Sequence, residues 1–312
     1  MRRGPRNLSH VGYSVEGQGP AIVLLHSSMS HKGQWRDLVQ DMSVSHRVIA
    51  VDLFGYGETP FPALIQGFGL RDEAHLVEWV LEGLLQPGES FHLVGHSYGG
   101  AVALRLAYGA PKRVRSLTLL EPVAFHLLAR KDAALNDVQA LAEVQAVARA
   151  VNRGLANNNP LPAAARFVDY WSGRGAFERL PKEKQQALAA QLRKVGLDFL
   201  AACSEPLSLD DYRAISLPTC LIAGLFSPHS TLSVTAALAK HLPDAQLHWV
   251  NGGHMTPIQQ PDKINPIIAG FIHQVDAFGV SFGPESGWHV NANPSEAGVP
   301  EQRRSMVAPV AV

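Results

Sequence analysis

Gly95-His96-Ser97-Tyr98-Gly99 holds a serine with a glycine two positions away on either side. Phe91-His92-Leu93-Val94 before it reads as a buried strand, and Ala101–Tyr108 after it as a helix. A serine at such a strand-to-helix turn is presented on a sharply bent backbone. The bend brings positions 95 and 99 together, which is why both must be small. The N-terminus of the helix that follows turns backbone N–H groups toward developing negative charge. Ser97 is therefore the candidate nucleophile. The pattern alone is short, and the strand and helix flanking it are what separate it from a chance match.

A nucleophilic serine needs a base. There are 14 histidines, and a lone one is usually a surface or packing residue. His254, in Asn251-Gly252-Gly253-His254-Met255, directly follows the last apolar run. That is the place for a base if the chain order is nucleophile, acid, histidine. His241, His248 and His273 have no comparable context. An imidazole has an unperturbed pKa near ~6.5, so it can accept the serine proton near neutral pH.

The elements that must hold these groups are short apolar runs rich in branched residues: Ala21–Leu25, Val48–Val51, Phe91–Val94, Ser116–Leu120, Thr219–Ala223 and Gln246–Val250. Such runs suit parallel strands buried on both faces. Helix-like stretches such as Leu70–Leu85 separate the first four, and the alternation predicts an α/β fold with right-handed crossovers. Val11–Val15, with the Gly17-Gln18-Gly19-Pro20 turn, reads as an antiparallel edge hairpin. The alternation breaks between about Val123 and Arg213, an Ala-rich stretch of successive helices (Asp137–Val151, Lys182–Ala202) with a loop at Asn157–Pro160. The expected organisation is a core of residues 1–122 and 214–276, a helical cap of 123–213 and an irregular C-terminal tail of 277–312.

In these motifs and their order the sequence resembles the α/β-hydrolase superfamily, over about Val11 to Gln274. The resemblance implies a mostly parallel eight-stranded sheet with helices on both faces and a helical cap insertion. Leu24-Leu25-His26-Ser27-Ser28 matches the family's His-Gly oxyanion turn, with Ser27 in place of the usual Gly. By that match the N–H groups of Ser28 and Tyr98 form the oxyanion hole, while His26 packs the turn. Asp52-Leu53-Phe54-Gly55-Tyr56-Gly57-Glu58-Thr59 matches the family's Asp-x-x-Gly-x-Gly-x-Ser turn and is expected to be structural.

The acid departs from the common pattern. It usually follows the strand after the cap, here Thr219–Ala223, but Ser227 stands at that position and no Asp or Glu occurs from Tyr212 to Pro243. The family has a second solution, at the end of the strand before the cap, as in some haloalkane dehalogenases, whose nucleophile is an Asp. Here Glu121 ends Ser116–Leu120 on the edge where sites of open α/β sheets lie. Glu121 is thus the candidate acid. It could instead be a solvent-exposed loop residue before Pro122, and Asp210, Asp211, Asp244 or a Ser–His pair without an acid remain alternatives.

Composition narrows the rest. The chain is 46% hydrophobic and 17% charged, with 27 basic and 27 acidic side chains. No global field would attract nucleic acid or an anionic membrane. Cys203 and Cys220 cannot make a disulfide framework and suit a reducing compartment. The opening Met1-Arg2-Arg3 is not followed by an apolar core, and no run of about 18 apolar residues suggests a membrane span. The expectation is a cytoplasmic monomer or homodimer whose partner is a small ester-like molecule, with no nucleic acid and no membrane. Neither cysteine has metal-ligand spacing, and the Gly-rich turns lack dinucleotide and phosphate-loop patterns. No cofactor and no metal are expected.

The resemblance implies acyl transfer on a small or medium carboxylic ester through an acyl-enzyme. Carbon–carbon bond hydrolysis, lactone or amide hydrolysis by the same triad are alternatives, as is a non-catalytic small-ligand receptor on this fold. Phe125, Phe167, Tyr170, Trp171 and Phe199 are candidates for a substrate pocket in the cap, though for any one of them a place in the cap core is the stronger reading.

Overall fold

The computed structural model describes residues 10–130 and 135–279. Residues 280–312, most of the expected tail, lie outside the described residues. Among the described residues seven strands form one sheet in the order β1-β3-β2-β4-β5-β6-β7, where the family resemblance implied eight. The strands are β1 (Tyr13–Glu16), β2 (Ala21–Leu25), β3 (Arg47–Val51), β4 (Phe91–His96), β5 (Val114–Leu120), β6 (Thr219–Gly224) and β7 (Ala245–Val250). All pair in parallel except β1, which runs antiparallel to β3.

The expected edge strand is therefore present, but not as a hairpin. Tyr13 pairs with Val51 and Glu16 with Val48, so β3 lies between β1 and β2. The turn after β1 packs on the backbone of Ser43 to His46, the segment that feeds β3. It carries the chain over β3 and into the interior, where all five residues of β2 are buried.

In β2 to β7, alternate residues serve opposite faces. Val23, Leu25, Leu93, Leu117, Leu119 and Leu221 join one apolar cluster, which includes α2 (Leu70–Leu84), α3 (Tyr98–Gly109) and α9 (His229–His241). Ile22, Leu24, Val48, Val94, Cys220 and Ile222 join the other, under α1 (Arg36–Met42) and α11 (Asn265–Phe278). Double-sided burial explains why these strands read as unbroken apolar runs. α11 ends on Gly279 at φ 57°, the left-handed cap common at helix ends.

Among the described residues between β5 and β6 there are a 3-10 turn (Phe125–Ala129) and five helices: α4 (Leu135–Ala156), α5 (Pro160–Ser172), α6 (Lys182–Ala190), α7 (Leu192–Ser204) and α8 (Leu209–Tyr212). The single helix expected over 182–202 is two. At Gln191 the N–H bonds to Leu188 three residues back, and that tightened step ends α6 before α7 begins. A short α10 (Thr256–Gln259) follows β7. Among the described residues no helix is long and apolar enough to cross a membrane.

Candidate active site

Ser97 sits between β4 and α3 with φ 56° and ψ −114°, backbone that side chains other than glycine's rarely adopt. The surrounding packing holds it there. A Cβ at position 95 would overlap the carbonyl of Gly99, and one at position 99 would overlap the carbonyls of Leu25 and His26. The Ser97 N–H donates to Leu120 O at 2.9 Å, and the N–H of Ala101 donates to Ser97 O at 3.1 Å. The backbone of this candidate nucleophile is thus clamped by β5 on one side and α3 on the other.

His254, beyond β7, is 2% exposed. Its Nε2 lies 2.9 Å from Ser97 Oγ, and its Nδ1 lies 2.8 Å from Glu121 Oε2. An ionised carboxylate can only accept, so Nδ1 carries the proton and donates to Glu121. Nε2 is left to accept from the Ser97 hydroxyl. The His254 carbonyl accepts at 2.9 Å from Nε2 of His96, whose Nδ1 accepts at 3.1 Å from the Gln34 amide. Burial, reinforced by nearby His254, lowers the His96 pKa to about 3, which keeps this second imidazole neutral beside the first.

Glu121 is not a solvent-exposed loop residue; it is 4% exposed. Its Oε1 accepts from Gly224 N at 2.7 Å and Ser227 Oγ at 2.6 Å, and its Oε2 accepts from Thr231 Oγ1 at 2.9 Å as well as from His254. Burial by itself would raise its pKa. The donors from His254, Ser227 and Gly224 outweigh that and hold the carboxyl below its ordinary value. Ser227, at the usual acid position, thus donates to the carboxylate that sits elsewhere. The competing carboxylates are occupied away from His254. Asp210 pairs with Arg213, Asp211 caps α8 through Ser208, and Asp244 lies at the opposite end of the six-residue β7, about 20 Å from the His254 edge.

Ser28 and Tyr98 line one cavity with Ser97. Tyr98 opens α3, so its N–H has no intrahelical carbonyl to meet. Ser27 keeps a negative φ in place of the family's Gly, and the left-handed residue of this turn is Met29 at φ 57°. Gln34 Oε1 fixes Ser27 by accepting from its N–H and its hydroxyl, both at 3.0 Å. His26 Nε2 accepts from Leu53 N at 3.0 Å while its Nδ1 donates to Ser27 O at 2.7 Å, a turn-packing arrangement. Asp52 accepts from the N–H groups of Lys32 and Glu58 and so ties its own turn to the neighbouring one.

Phe125, Phe167, Trp171 and Phe199 line the same inner cavity, whose free volume is only about 20 Å³. The Trp171 ring lies 4.3 Å from the His254 ring, centroid to centroid. Outside it a cleft of about 640 Å³ reaches Ser97 and His254 between Phe167, Trp171, Met29 and Ile258. Tyr170 faces neither space. Its hydroxyl hydrogen-bonds Ser230 Oγ at 2.8 Å, and it lines a separate surface cleft. Not foreseen from the sequence are Asp198 and Val195 in the inner cavity wall, and the Gln34–His96 link behind His254.

A metal could be offered ligands elsewhere, on the face under α11. His46, His92 and Asp276 bring ligand atoms within 4.8 Å of one another. Arg115 pairs with the same Asp276 at 3.0 Å, so a guanidinium already neutralises that carboxylate.

Comparison with known proteins agrees with this architecture. A family model described as alpha/beta hydrolase fold matches residues 20–261. A 2-hydroxymuconate semialdehyde hydrolase of Pseudomonas putida is 30% identical over 292 residues, covering 87% of this chain and 95% of the relative. The 3-oxoadipate enol-lactonase 1 of Acinetobacter baylyi is 25% identical, covering 82% and 90%. Among solved structures, an esterase from Exiguobacterium antarcticum superposes with a TM-score of 0.67 at 18% identity, covering 84% of this chain and 95% of that one.

Proposed function

The chain belongs to the alpha/beta hydrolase fold family, and from that premise we propose that it is a serine hydrolase cleaving a small or medium carboxylic ester through an acyl-enzyme on Ser97. The observation that carries the reading is the unbroken line Ser97 Oγ, His254 Nε2, His254 Nδ1, Glu121 Oε2, at 2.9 and 2.8 Å. Ser97 Oγ attacks the ester carbonyl while its proton passes to His254 Nε2. The carbonyl oxygen becomes an oxyanion held by the N–H groups of Ser28 and Tyr98, donors worth about 10²–10³ in rate each. The tetrahedral intermediate collapses as His254 returns the proton to the departing alkoxide. Water then gives a proton to His254, attacks the acyl carbon, and releases the acid with Ser97 regenerated.

Glu121 fixes the tautomer of His254 and balances its positive charge, and the Trp171 ring, tilted over His254 at 4.3 Å, adds cation–π support to the imidazolium. The inner cavity has room for about one water, so it suits the smaller limb of the ester. The open cleft suits the larger limb.

Carbon–carbon hydrolysis is the second reading, favoured by the 30% identity to a 2-hydroxymuconate semialdehyde hydrolase. Fluorophosphonate labelling followed by an ester and diketone panel tests both. Labelling of Ser97, with p-nitrophenyl ester turnover that disappears in Ser97→Ala, is the expected result. A diketone turned over far faster than any ester would favour the second reading. Tight ligand binding with no turnover at all would overturn both.

A further inference from the structure

The two residues whose amides face the reacting carbonyl also send their side chains to one buried charge cluster. Ser28 Oγ donates to Asp198 Oδ2 at 2.5 Å, and the Tyr98 hydroxyl donates to Glu73 Oε1 at 3.3 Å. Lys194 joins the two carboxylates: its Nζ is 3.0 Å from Glu73 Oε1 and contacts Asp198 Oδ1 directly. Tyr56 donates a second hydroxyl to Asp198 Oδ2 at 2.5 Å. The ammonium lies 4.6 Å from the Tyr98 ring centroid and 4.8 Å from that of Tyr56.

The partners come from five places in the chain, Tyr56 being supplied by the loop after β3. Lys194 and Asp198 are one turn apart on α7, in the insertion between β5 and β6; Glu73 is on α2, Ser28 follows β2, and Tyr98 opens α3. The side chains of Lys194, Glu73 and Asp198 are 2%, 0% and 5% exposed. Burial works against the ammonium, yet Asp198 and Glu73 together raise its pKa, so the charge persists. Apolar side chains of similar volume would hold α7 on the core without the cost of desolvating three ionisable groups. What they would not do is fix the direction of two particular hydroxyls.

We propose that the Lys194-centred cluster aims the oxyanion amides, with Asp198 and Lys194 of α7 acting as positioning residues for acyl transfer. The inference rests on the reading of Ser28 and Tyr98 as oxyanion donors. An oxyanion donor contributes only when aimed at the oxygen of the tetrahedral intermediate. Ser28 lies between Ser27, pinned by Gln34, and Met29, in left-handed backbone. The remaining freedom of that turn is taken up where Ser28 Oγ meets Asp198. Because Asp198 belongs to the inserted helix, seating α7 and assembling the oxyanion hole become one event.

A double-mutant cycle of Ser28→Ala and Asp198→Asn, read on p-nitrophenyl ester hydrolysis, tests this. Ser28→Ala keeps the amide and leaves Asp198 with the Tyr56 and Lys194 donors, so it should fold normally. Each single variant should lower kcat by about 10- to 100-fold, less than outright loss of a donor, with KM within about twofold. The double variant should be no worse than the poorer single, the signature of one shared interaction. Wild-type kcat in Ser28→Ala would overturn the proposal, and so would losses that multiply in the double variant. A change confined to KM and thermal stability would do the same, because that is the behaviour of a merely structural contact. If Ser97-dependent turnover is present and Ser28→Ala is unaffected, the hydrolase reading stands and this inference alone falls. If Ser97 neither labels nor supports turnover, both fall.

Discussion

Changing Glu121 to glutamine replaces one carboxylate oxygen by an NH2 group and nothing else, and the four donors around it dictate the outcome. Gly224 N–H and Ser227 Oγ meet one oxygen, while His254 Nδ1 and Thr231 Oγ1 meet the other. Hydroxyls can rotate to accept, but the Gly224 N–H cannot. The glutamine carbonyl is therefore held at Gly224 and its NH2 is turned toward His254. A donor facing Nδ1 requires Nδ1 to be the acceptor, which moves the ring proton to Nε2. Nε2 can then no longer take the Ser97 proton. The corresponding carboxylate-to-amide change in serine proteases lowers kcat by about 10⁴, or ~5.5 kcal/mol of barrier. Glu121→Gln should lose a similar factor in steady-state p-nitrophenyl ester hydrolysis. Its circular dichroism should match wild type, because the volume is unchanged. Turnover within tenfold of wild type would refute the assignment of the acid and the tautomer argument together.

Three further outcomes follow from the same geometry. Trp171→Ala enlarges the inner cavity of about 20 Å³, so kcat/KM along a p-nitrophenyl acetate-to-octanoate series should shift toward longer chains; an unchanged profile would show that the cavity does not measure the substrate. Glu121 titrates below its ordinary value in the folded chain, so its stabilising contribution is complete above the unfolded carboxylate pKa and lost as pH falls through the native one. Wild-type Tm should accordingly fall more steeply than that of Glu121→Gln between about pH 5 and pH 3, and parallel curves would contradict the shift. Lys194→Met leaves Glu73 and Asp198 buried without their cation, and urea unfolding should show a loss of about 3–5 kcal/mol; a loss below ~1 kcal/mol would mean that the carboxylates protonate at little cost.

The inner strands were legible because burial on both faces leaves no alternative to an apolar run. Ala21–Leu25 has the same bounds in sequence and structure. Pairing partners were less so, since nothing local to Tyr13–Glu16 says that β3 rather than β2 lies beside it. Among the aromatics between β5 and β6, neighbours on a helix point about 100° apart. Trp171 and Phe167, four residues apart, share a face toward Ser97, while Tyr170 turns to Ser230. The Lys194 cluster escaped notice because its members are far apart in the chain, although a trace was present. Glu73 falls on the apolar stripe Leu70, Ala74, Val77, Leu81 of α2, where an acid is out of place unless paired.

The backbone at Ser97 has one more consequence. Its φ of 56° and ψ of −114° are imposed by strand, helix and packed glycines, and they would burden any L-residue there alike. The turn is therefore a socket, indifferent to which reactive group is plugged into it. A thiol or carboxylate at position 97 would inherit the same presentation, and only glycine would relax it. At that position the chain is less stable than it could be, and the conformation it tolerates there is one that would present a nucleophile.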